Sequence, residues 1–262
     1  LIQKFGPSVI DSYPFLSKKI INPKGEDYTR PCVIISNHSS FLDSLSFVML
    51  SPKVMFLVNE WVYNSPVFGR VMKLAGFYPV AEGVEGSVEH LKDKVAQGYS
   101  LMVFPEGTRS DDNTIGRFHK GAFYLAEHFQ LDVIPVYTHG NSDLIPKGDF
   151  IIYEGAMTLK VGERISKDDL SYGSNYSERT RKISRHFKEE FIKVRQALED
   201  ENYYKKKLYL AYLYKEQDVV KSVKKDFLEN KSAYYAMFFH VMPKAKIYHY
   251  ADDFGQTDLL LS

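Results

Sequence analysis

Apolar residues along the first 165 positions follow two different periods, and the two periods alternate. Four short runs are mostly apolar, which is typical of strands buried in a sheet; they are residues 32–36, 77–81, 99–104 and 133–137. Between these runs apolar residues recur three or four positions apart, which predicts helices; the segments are 41–50, 60–75, 85–97 and 121–129. The alternation predicts an α/β fold, with a mixed or mostly parallel central sheet flanked by helices.

The pattern changes toward the carboxyl-terminal end of the chain. Two further apolar runs predict a β-hairpin; they are residues 151–155 and 157–161. Residues 176–198 place large apolar side chains at helical spacing, which predicts an amphipathic helix. After Asp200 the sequence is rich in Tyr and Lys and keeps helical character to about His240. We therefore predict one domain over residues 1–200 and a helical appendage over residues 201–262.

The last residues carry a separate signal. Residues 246–251 predict a strand, and a loop with Gly255 and three consecutive leucines follow them. A strand, a loop containing glycine and a helix start are how a nucleotide-type α/β domain opens. This pattern loosely resembles the entry to methyltransferase-like domains.

Composition excludes some classes of protein. The net charge of the 262-residue chain is +1, whereas a nucleic-acid-binding protein usually carries a strong basic excess. The one cysteine, Cys32, lies in an apolar run and is interpreted as a buried small hydrophobe. No run reaches the length of about 18 apolar residues that a membrane-spanning helix needs, and no signal peptide is visible. The chain begins with Leu1 and not with Met, which is consistent with a fragment of a longer protein.

The first candidate functional cluster directly follows the predicted strand 32–36; it is the run Asn37-His38-Ser39-Ser40-Phe41-Leu42-Asp43. A neutral imidazole can accept a proton near neutral pH, because its reference pKa is about 6.5. If His38 lies in the loop and Asp43 in the first helical turn, the chain can bring the two together as a base and its orienting carboxylate. Two other interpretations stay open: Ser40 and Asp43 also have capping-box spacing, and His38 is equally typical of a structural histidine.

The second cluster follows the predicted strand 99–104; it is the run Phe104-Pro105-Glu106-Gly107-Thr108-Arg109-Ser110. Gly107 permits a tight turn, and the planar fork of Arg109 suits a phosphate or a carboxylate. An ordinary polar turn with a solvated Arg is the alternative. Because ligands bind at the carboxyl ends of strands in open α/β sheets, the two clusters are expected to face one crevice.

Together the two clusters resemble the glycerol-phosphate and lysophospholipid acyltransferase family, whose hallmarks are Asn-His-x4-Asp and Phe-Pro-Glu-Gly-Thr-Arg-Ser. The similarity continues in Lys120-Gly121-Ala122 and in Val133-Ile134-Pro135-Val136, and it covers residues 30–165. The chain is also similar to the acyltransferase segment of bacterial fusion proteins that join a membrane transporter, this domain and a methyltransferase-like domain.

One block departs from the family pattern. The family often shows Gly-x-x-Phe-Ile-x-Arg between the two clusters, and this Arg assists phosphate recognition. Here the corresponding run is Gly76-Phe77-Tyr78-Pro79-Val80-Ala81-Glu82, with Glu82 where Arg is usual. The departure argues against a plain glycerol-phosphate head group as the acceptor.

The resemblance implies an O-acyltransferase that moves a fatty acyl group from acyl-CoA or acyl carrier protein to the hydroxyl of a lysophospholipid or related lyso-lipid. It implies that His38 is the base and that Asp43 orients it. Backbone amides near the start of the first helix are candidates for stabilising the oxyanion. The residues implied to hold the acceptor are Glu106, Gly107, Thr108, Arg109 and Ser110, with Asn37, Glu82 and Lys120 as further candidate contacts.

The same resemblance implies no cofactor beyond the acyl donor, no metal, and a place on the cytoplasmic face of a membrane, peripheral or within a larger membrane protein. Residues 61–74 combine apolar side chains with Arg70 and Lys73, which indicates a membrane contact; a helix buried against the core is the alternative. Two rival functions remain, a catalytically silent lipid-binding or regulatory module and a metal-dependent hydrolase. The hydrolase would need ligands from His38, Asp43 and Glu106, with no second histidine nearby.

Overall fold

The protein was analysed as a computed structural model, which describes residues 16–47, 49–50, 53–66, 69–74, 76–80, 88–110, 114–145, 152–241, 246–250 and 253–261. The chain divides into two compact units, residues 1–191 and 192–262. The division falls inside the long helix Tyr176–Leu198. The domain organisation expected from the sequence, 1–200 and 201–262, stays a prediction.

A seven-stranded sheet forms the centre of the first unit. Its strands are β1 (Leu16–Ile21), β2 (Cys32–Ser36), β3 (Val54–Asn59), β4 (Tyr78–Val80), β5 (Ser100–Val103), β6 (Asp132–His139) and β7 (Gly155–Val161). They lie in the order β1-β7-β6-β2-β5-β3-β4. Every neighbouring pair is parallel except β6 with β7. The predicted α/β fold with a mostly parallel sheet is confirmed.

The helices of the first unit connect these strands. They are α1 (Leu42–Phe47), α2 (Glu60–Tyr63), α3 (Gly69–Leu74), α4 (Val88–Ala96), α5 (Gly121–His128), α6 (Asn141–Leu144) and α7 (Tyr176–Leu198), with a short 3-10 turn at Leu170–Tyr172. The predicted helix 176–198 is confirmed over its whole length. The predicted helix 60–75 is instead two short helices, α2 and α3.

The core of the first unit lies around the middle of the sheet. All five residues of β2 are buried, and β6 and β5 flank this strand within the sheet. Burial of successive residues shows that both faces of the strand are covered, which explains why its first four residues are all apolar instead of alternating. From α7, Phe187 packs against Tyr137 of β6 with a ring separation of 4.6 Å.

An ion-pair network joins the loop between β1 and β2 to the start of β6 and to the segment after β7. Arg164, which follows β7, donates to both carboxylate oxygens of Glu26 at 3.0 and 2.7 Å. The same guanidinium donates to Asp132 at the start of β6, at 3.2 Å. The pairing is bidentate, so it fixes the direction of the guanidinium as well as its charge.

The strand predictions differ from the structure at four places. The predicted hairpin at 151–161 is wrong, because residues 152–154 are not in a strand, whereas Gly155–Val161 is a strand that pairs with β1 and β6. Strands β1 and β3 were not predicted from the sequence. Residues 246–250 contain no strand, so the predicted strand of the tail is wrong over its described part.

The second unit is helical. It contains α8 (Glu201–Ala211), α9 (Gln217–His240) and α10 (Gln256–Leu261), which confirms the predicted helical character after residue 200. Its apolar core consists of Leu208, Tyr212, Val223, Phe227, Tyr234 and Leu260. Throughout the described ranges, no helix is both long enough and apolar enough to cross a membrane.

Candidate active site

Three neighbouring parallel strands deliver polar side chains to one edge of the sheet. β2 lies between β6 and β5, and all three run in the same direction. His38 follows the end of β2, Glu106 follows the end of β5, and Asn141 follows the end of β6. Because the carboxyl ends of parallel strands meet at one edge, these side chains lie close together.

The structure brings His38 and Asp43 together, as the sequence predicted. His38 Nδ1 lies 2.8 Å from Asp43 Oδ2. Asp43 is in the first turn of α1, and its side chain has no exposed surface, whereas 20% of the His38 side chain is exposed. A ring whose Nδ1 faces a carboxylate carries its proton there, which leaves Nε2 to accept one from a substrate.

The Asp43 carboxylate is held by more than its histidine. Oδ2 also accepts the backbone N–H groups of Ser39 at 2.7 Å and Ser40 at 2.8 Å. The bond from Ser40 is the one that a capping box provides, so the capping interpretation agrees with the structure, while the catalytic role of Asp43 stays a prediction. Backbone amides near the start of the first helix were candidates for stabilising an oxyanion. In the structure the amides of Ser39 and Ser40 donate to Asp43 instead.

The His38 ring has a defined plane. It stacks on Phe104, the first residue after β5, with ring centroids 4.1 Å apart and an angle of 13° between the planes. Phe104 in turn meets Phe47 of α1 edge to face at 6.1 Å. The ring therefore stands between an aromatic face and the Asp43 carboxylate, and these two contacts fix its orientation.

Glu106 connects the two sequence clusters through backbone bonds. Its Oε1 accepts the N–H of His38 at 3.0 Å, and its Oε2 accepts the N–H of Gly116 at 2.6 Å. Only 7% of Glu106 is exposed, and this burial raises the pKa of its carboxyl group above the ordinary value of 4.5. Both carboxylate oxygens of Glu106 thus accept backbone N–H groups, and these bonds hold the loops of His38 and Gly116 in position.

The rest of the second cluster forms a turn beside the first. Gly107 has a φ of +72°, which suits glycine, and Thr108 is exposed. The guanidinium of Arg109 lies over the ring of Phe41, 3.9 Å from its centroid. Ser110 donates its backbone N–H to the carbonyl of His38 at 2.8 Å. The two clusters thus meet at one site, and a fixed cation lies on its border.

Two further candidates have other surroundings. The Asn37 side chain is buried, and it donates to the carbonyl of Thr138 and accepts its N–H, both at 2.9 Å. These bonds join the ends of β2 and β6, so Asn37 shapes the loop that carries His38. Lys120 is exposed immediately before α5. Glu82 lies outside the described residues.

Comparison with known proteins agrees with this geometry. Residues 19–139 match the family model described as Acyltransferase. This segment resembles the acyltransferase family. It contains both sequence clusters, the strands β2 to β6 and the last three residues of β1.

Curated relatives of the chain carry acyltransferase names. The chain is 33% identical over 169 residues to the chloroplastic 1-acyl-sn-glycerol-3-phosphate acyltransferase BAT2 of Brassica napus, covering 62% of this chain and 49% of the relative. It is 30% identical over 160 residues to the human 1-acyl-sn-glycerol-3-phosphate acyltransferase beta, covering 58% and 57%. The chain thus spans about half the length of these relatives.

A solved structure shares the fold. The crystal structure of the 1-acyl-sn-glycerophosphate acyltransferase PlsC from Thermotoga maritima superposes with a TM-score of 0.60 and 23% sequence identity. The match covers 74% of this chain and 78% of that one.

One site residue, just beyond the matched segment, was missed by the sequence reasoning. Asn141 is buried at the start of α6 and donates through Nδ2 to Asp43 Oδ1 at 2.7 Å. It is 98 residues from Asp43 in sequence, beyond the reach of any motif spacing. The signal that could have found it is its position, since it is a polar residue just after the end of a buried strand.

Proposed function

We propose that this chain is an O-acyltransferase that moves a fatty acyl group from an acyl thioester to the hydroxyl of a lysophospholipid or related lyso-lipid. The observation that carries the proposal is the bond of 2.8 Å between His38 Nδ1 and the buried Asp43 carboxylate. Relatives named 1-acyl-sn-glycerol-3-phosphate acyltransferases support the class of reaction.

In the proposed reaction His38 Nε2 accepts the proton of the acceptor hydroxyl while the hydroxyl oxygen attacks the thioester carbonyl. The new C–O bond forms, the C–S bond breaks, and the departing thiolate takes the proton back from the imidazolium. The Asp43 carboxylate stabilises the imidazolium during this exchange. A bound hydroxyl and a bound thioester react directly when they are held together, so no acyl-enzyme is required.

The acceptor site is proposed to lie on the Arg109 side of the histidine. A planar guanidinium binds phosphate oxygens in pairs, and stacking on Phe41 holds Arg109 in place for such a contact. Thr108, Ser110 and Lys120 are proposed as supporting contacts. The role of Glu82 in favouring a head group less anionic than a phosphate monoester stays a prediction.

The acyl donor is proposed to be acyl-CoA or acyl carrier protein, and the site of action is proposed to be the cytoplasmic face of a membrane. A lyso-lipid acceptor resides in a bilayer, so the domain has to reach the membrane surface to meet it. Trp61 of α2 is 74% exposed, which supports a membrane contact in this part of the chain.

The proposal predicts loss of transfer when the pair is broken. With the 262-residue chain, His38→Ala should lower the transfer rate about 10²- to 10⁴-fold, the usual contribution of general-base catalysis. Asp43→Asn should also be severely impaired, because an amide favours the wrong imidazole tautomer. Mass spectrometry of the acylated product, with lysophosphatidic acid and a zwitterionic lyso-lipid as acceptors, gives the rates.

His128→Ala, which changes an exposed histidine at the end of α5, is the matched control and should keep the wild-type rate. If His38→Ala turned over like the wild type with an unchanged circular-dichroism spectrum, the mechanism would be wrong. If the folded wild type bound lyso-lipid vesicles but transferred no acyl group to any acceptor, the silent lipid-binding module would replace the proposed enzyme.

A further inference from the structure

We propose that Asn141 is a positioning residue of the site, which fixes the Asp43 carboxylate and thereby the orientation and tautomer of His38. The inference rests on the proposed function for its catalytic consequence. Its structural content, a defined proton position on His38, is independent of that function.

Asn141 holds the oxygen of Asp43 that the histidine does not use. Oδ2 of Asp43 receives His38 and two backbone N–H groups, whereas Oδ1 receives Asn141 Nδ2 at 2.7 Å. A carboxylate bonded through one oxygen alone can still rotate about the bond to its Cβ atom. The three donors on Oδ2 already restrain this rotation, and the donor on the second oxygen adds a restraint from the opposite side, so Asn141 helps to hold Oδ2 in its direction toward His38.

The orientation of the Asn141 amide is itself determined by Asp43. Its NH₂ group meets Asp43 Oδ1 and, at 3.4 Å, the Ser46 hydroxyl oxygen. Its carbonyl oxygen is buried and has no hydrogen-bond donor within the described ranges. Turning the amide over would place this carbonyl against a carboxylate, which is repulsive. The orientation that donates to Asp43 is therefore kept, although it leaves the amide oxygen without a hydrogen bond.

The backbone places Asn141 at this point with little tolerance. Gly140, the residue before it, has a φ of +85°, and a Cβ atom there would lie 2.0 Å from the carbonyl oxygen of Ala156 in β7. The chain thus leaves β6 through a left-handed residue and enters α6 with Asn141 directed at α1. A second bond, from the Ser40 hydroxyl to the carbonyl of Ile145 at 2.9 Å, joins the far end of α6 to the His38 loop.

Asn141 is assigned a positioning role because it reaches the reacting atoms only through Asp43 and His38. Such a role predicts a specific pattern of defects. In a variant without the Asn141 amide, His38 should spend part of its time in the tautomer with the proton on Nε2. That tautomer cannot accept a proton from the substrate through Nε2, so the rate of the chemical step should fall. Substrate affinities should change little, because the structure shows Asn141 bonded to the protein and not directed at a head group.

The test combines kinetics with a direct readout of the ring. Asn141→Ala and Asn141→Leu both remove the donor to Asp43, and the leucine variant keeps the side-chain volume if the alanine variant folds poorly. We expect kcat to fall about 10- to 100-fold with KM values for both substrates within about twofold. In ¹⁵N-histidine NMR spectra, the His38 signals, identified by their loss in His38→Ala, should shift from the Nδ1–H tautomer toward a mixture.

Two control variants separate this effect from general damage. Ser46→Ala removes a buried hydroxyl from the same contact between α1 and α6 but leaves the donor to Asp43 in place, so the His38 tautomer should stay that of the wild type. Asn230→Ala removes an Asn-to-Asp bond of the same length, 2.7 Å to Asp226, on an exposed face of α9. It should match the wild type in both measurements.

The outcomes are distinguishable. If both Asn141 variants kept the Nδ1–H tautomer, or if folded variants kept kcat within twofold of the wild type, the positioning role would be wrong. An inactive wild type would overturn the proposed function alone, since the tautomer shift in the Asn141 variants would still report on the Asn141–Asp43–His38 chain.

Discussion

At the scale of single residues, the buried carboxylates of this domain have opposite electrostatic surroundings. Asp43 collects four hydrogen bonds at zero exposure. Glu106 is buried with two backbone donors, and desolvation is the largest influence on it, so its pKa is raised. Glu26 is bonded by the guanidinium of Arg164, and this hydrogen bond lowers its pKa. The contributions of Glu106 and Glu26 to folding therefore depend on pH in opposite directions.

Glu106 should make the protein less stable as the pH rises. The folded state holds the Glu106 proton more tightly than the unfolded chain does, so its contribution is fully present below the ordinary pKa of 4.5 and is lost through the raised pKa. Glu106→Gln cannot titrate. The free energy of unfolding of the wild type, measured in urea from about pH 4 to about pH 8 and compared with that of Glu106→Gln, should therefore decline relative to the variant.

Glu26→Gln supplies a comparison with the opposite sign. Its lowered pKa gives stability that is present above 4.5 and is lost as the pH falls through the folded value, so the wild type should gain over Glu26→Gln as the pH rises. If the stability difference between the wild type and each variant changed with pH in the same direction for Glu106→Gln and Glu26→Gln, the assignment of Glu106 as a buried carboxyl group with a raised pKa would be contradicted.

At the scale of elements, the site is made by the three connections that leave β2, β5 and β6. Each connection is tied to a neighbour by a bond that no single element contains. Asn37 joins the end of β2 to Thr138, Glu106 joins the β5 loop to His38, and Asn141 joins α6 to α1. Because these ties cross between elements, a defect in one connection is expected to reach the others.

Gly140→Ala should show this at the β6 connection. A residue with a Cβ atom at a φ of +85° costs about 1–3 kcal/mol for the backbone alone, and the contact of 2.0 Å with the Ala156 carbonyl adds to this cost. We expect a large decrease in the thermal unfolding temperature. In the molecules that remain folded, His38 should no longer be held in the Nδ1–H tautomer.

Gly25→Ala is the matched control for Gly140→Ala. Gly25 has a φ of +64°, but nothing lies within 4 Å of a Cβ atom added there, so only the conformational cost applies. Equal stability losses in the two variants would show that the β6 connection relaxes and that the contact with Ala156 is unimportant.

At the scale of the whole molecule, the exposed apolar side chains bear on the proposed contact with a membrane. α2 buries none of its four residues, so the alternative of a helix packed into the core does not apply to it. Arg70 and Lys73 of α3 are exposed, while Met72 packs against the core of the first unit. Phe68 and the side chain of Val71, also predicted to touch the membrane, lie outside the described residues.

Trp61→Ser should weaken binding to membranes. Burying a large apolar side chain contributes about 1.5–3 kcal/mol, so its loss should lower the vesicle partition coefficient about 10- to 100-fold. Flotation with vesicles containing an anionic phospholipid, at low salt, measures the bound fraction. Leu170→Ser is the control, since Leu170 is 71% exposed but lies far along the chain in the 3-10 turn. The same loss in both variants would contradict a membrane contact at Trp61.

What the sequence determined by itself is local. The runs of β2 and β6, the helix at 176–198 and the two loops that follow β2 and β5 were all predictable, because period and motif are properties of neighbouring residues. The approach of Asp43 to His38 was also predictable, since five residues leave few ways for a loop and a first helical turn to meet. The family resemblance came from the same local runs.

What only the tertiary structure decided depends on residues far apart in the chain. β1 pairs in parallel with β7, from Leu16 opposite Gly155 onward, and this pairing replaced the hairpin that adjacent apolar runs had suggested. Asn141 reaches Asp43 across 98 residues, and Asn37 reaches Thr138 across 101. Such contacts form because packing of the sheet places the strand ends side by side, and no local pattern records which side chains then face one another.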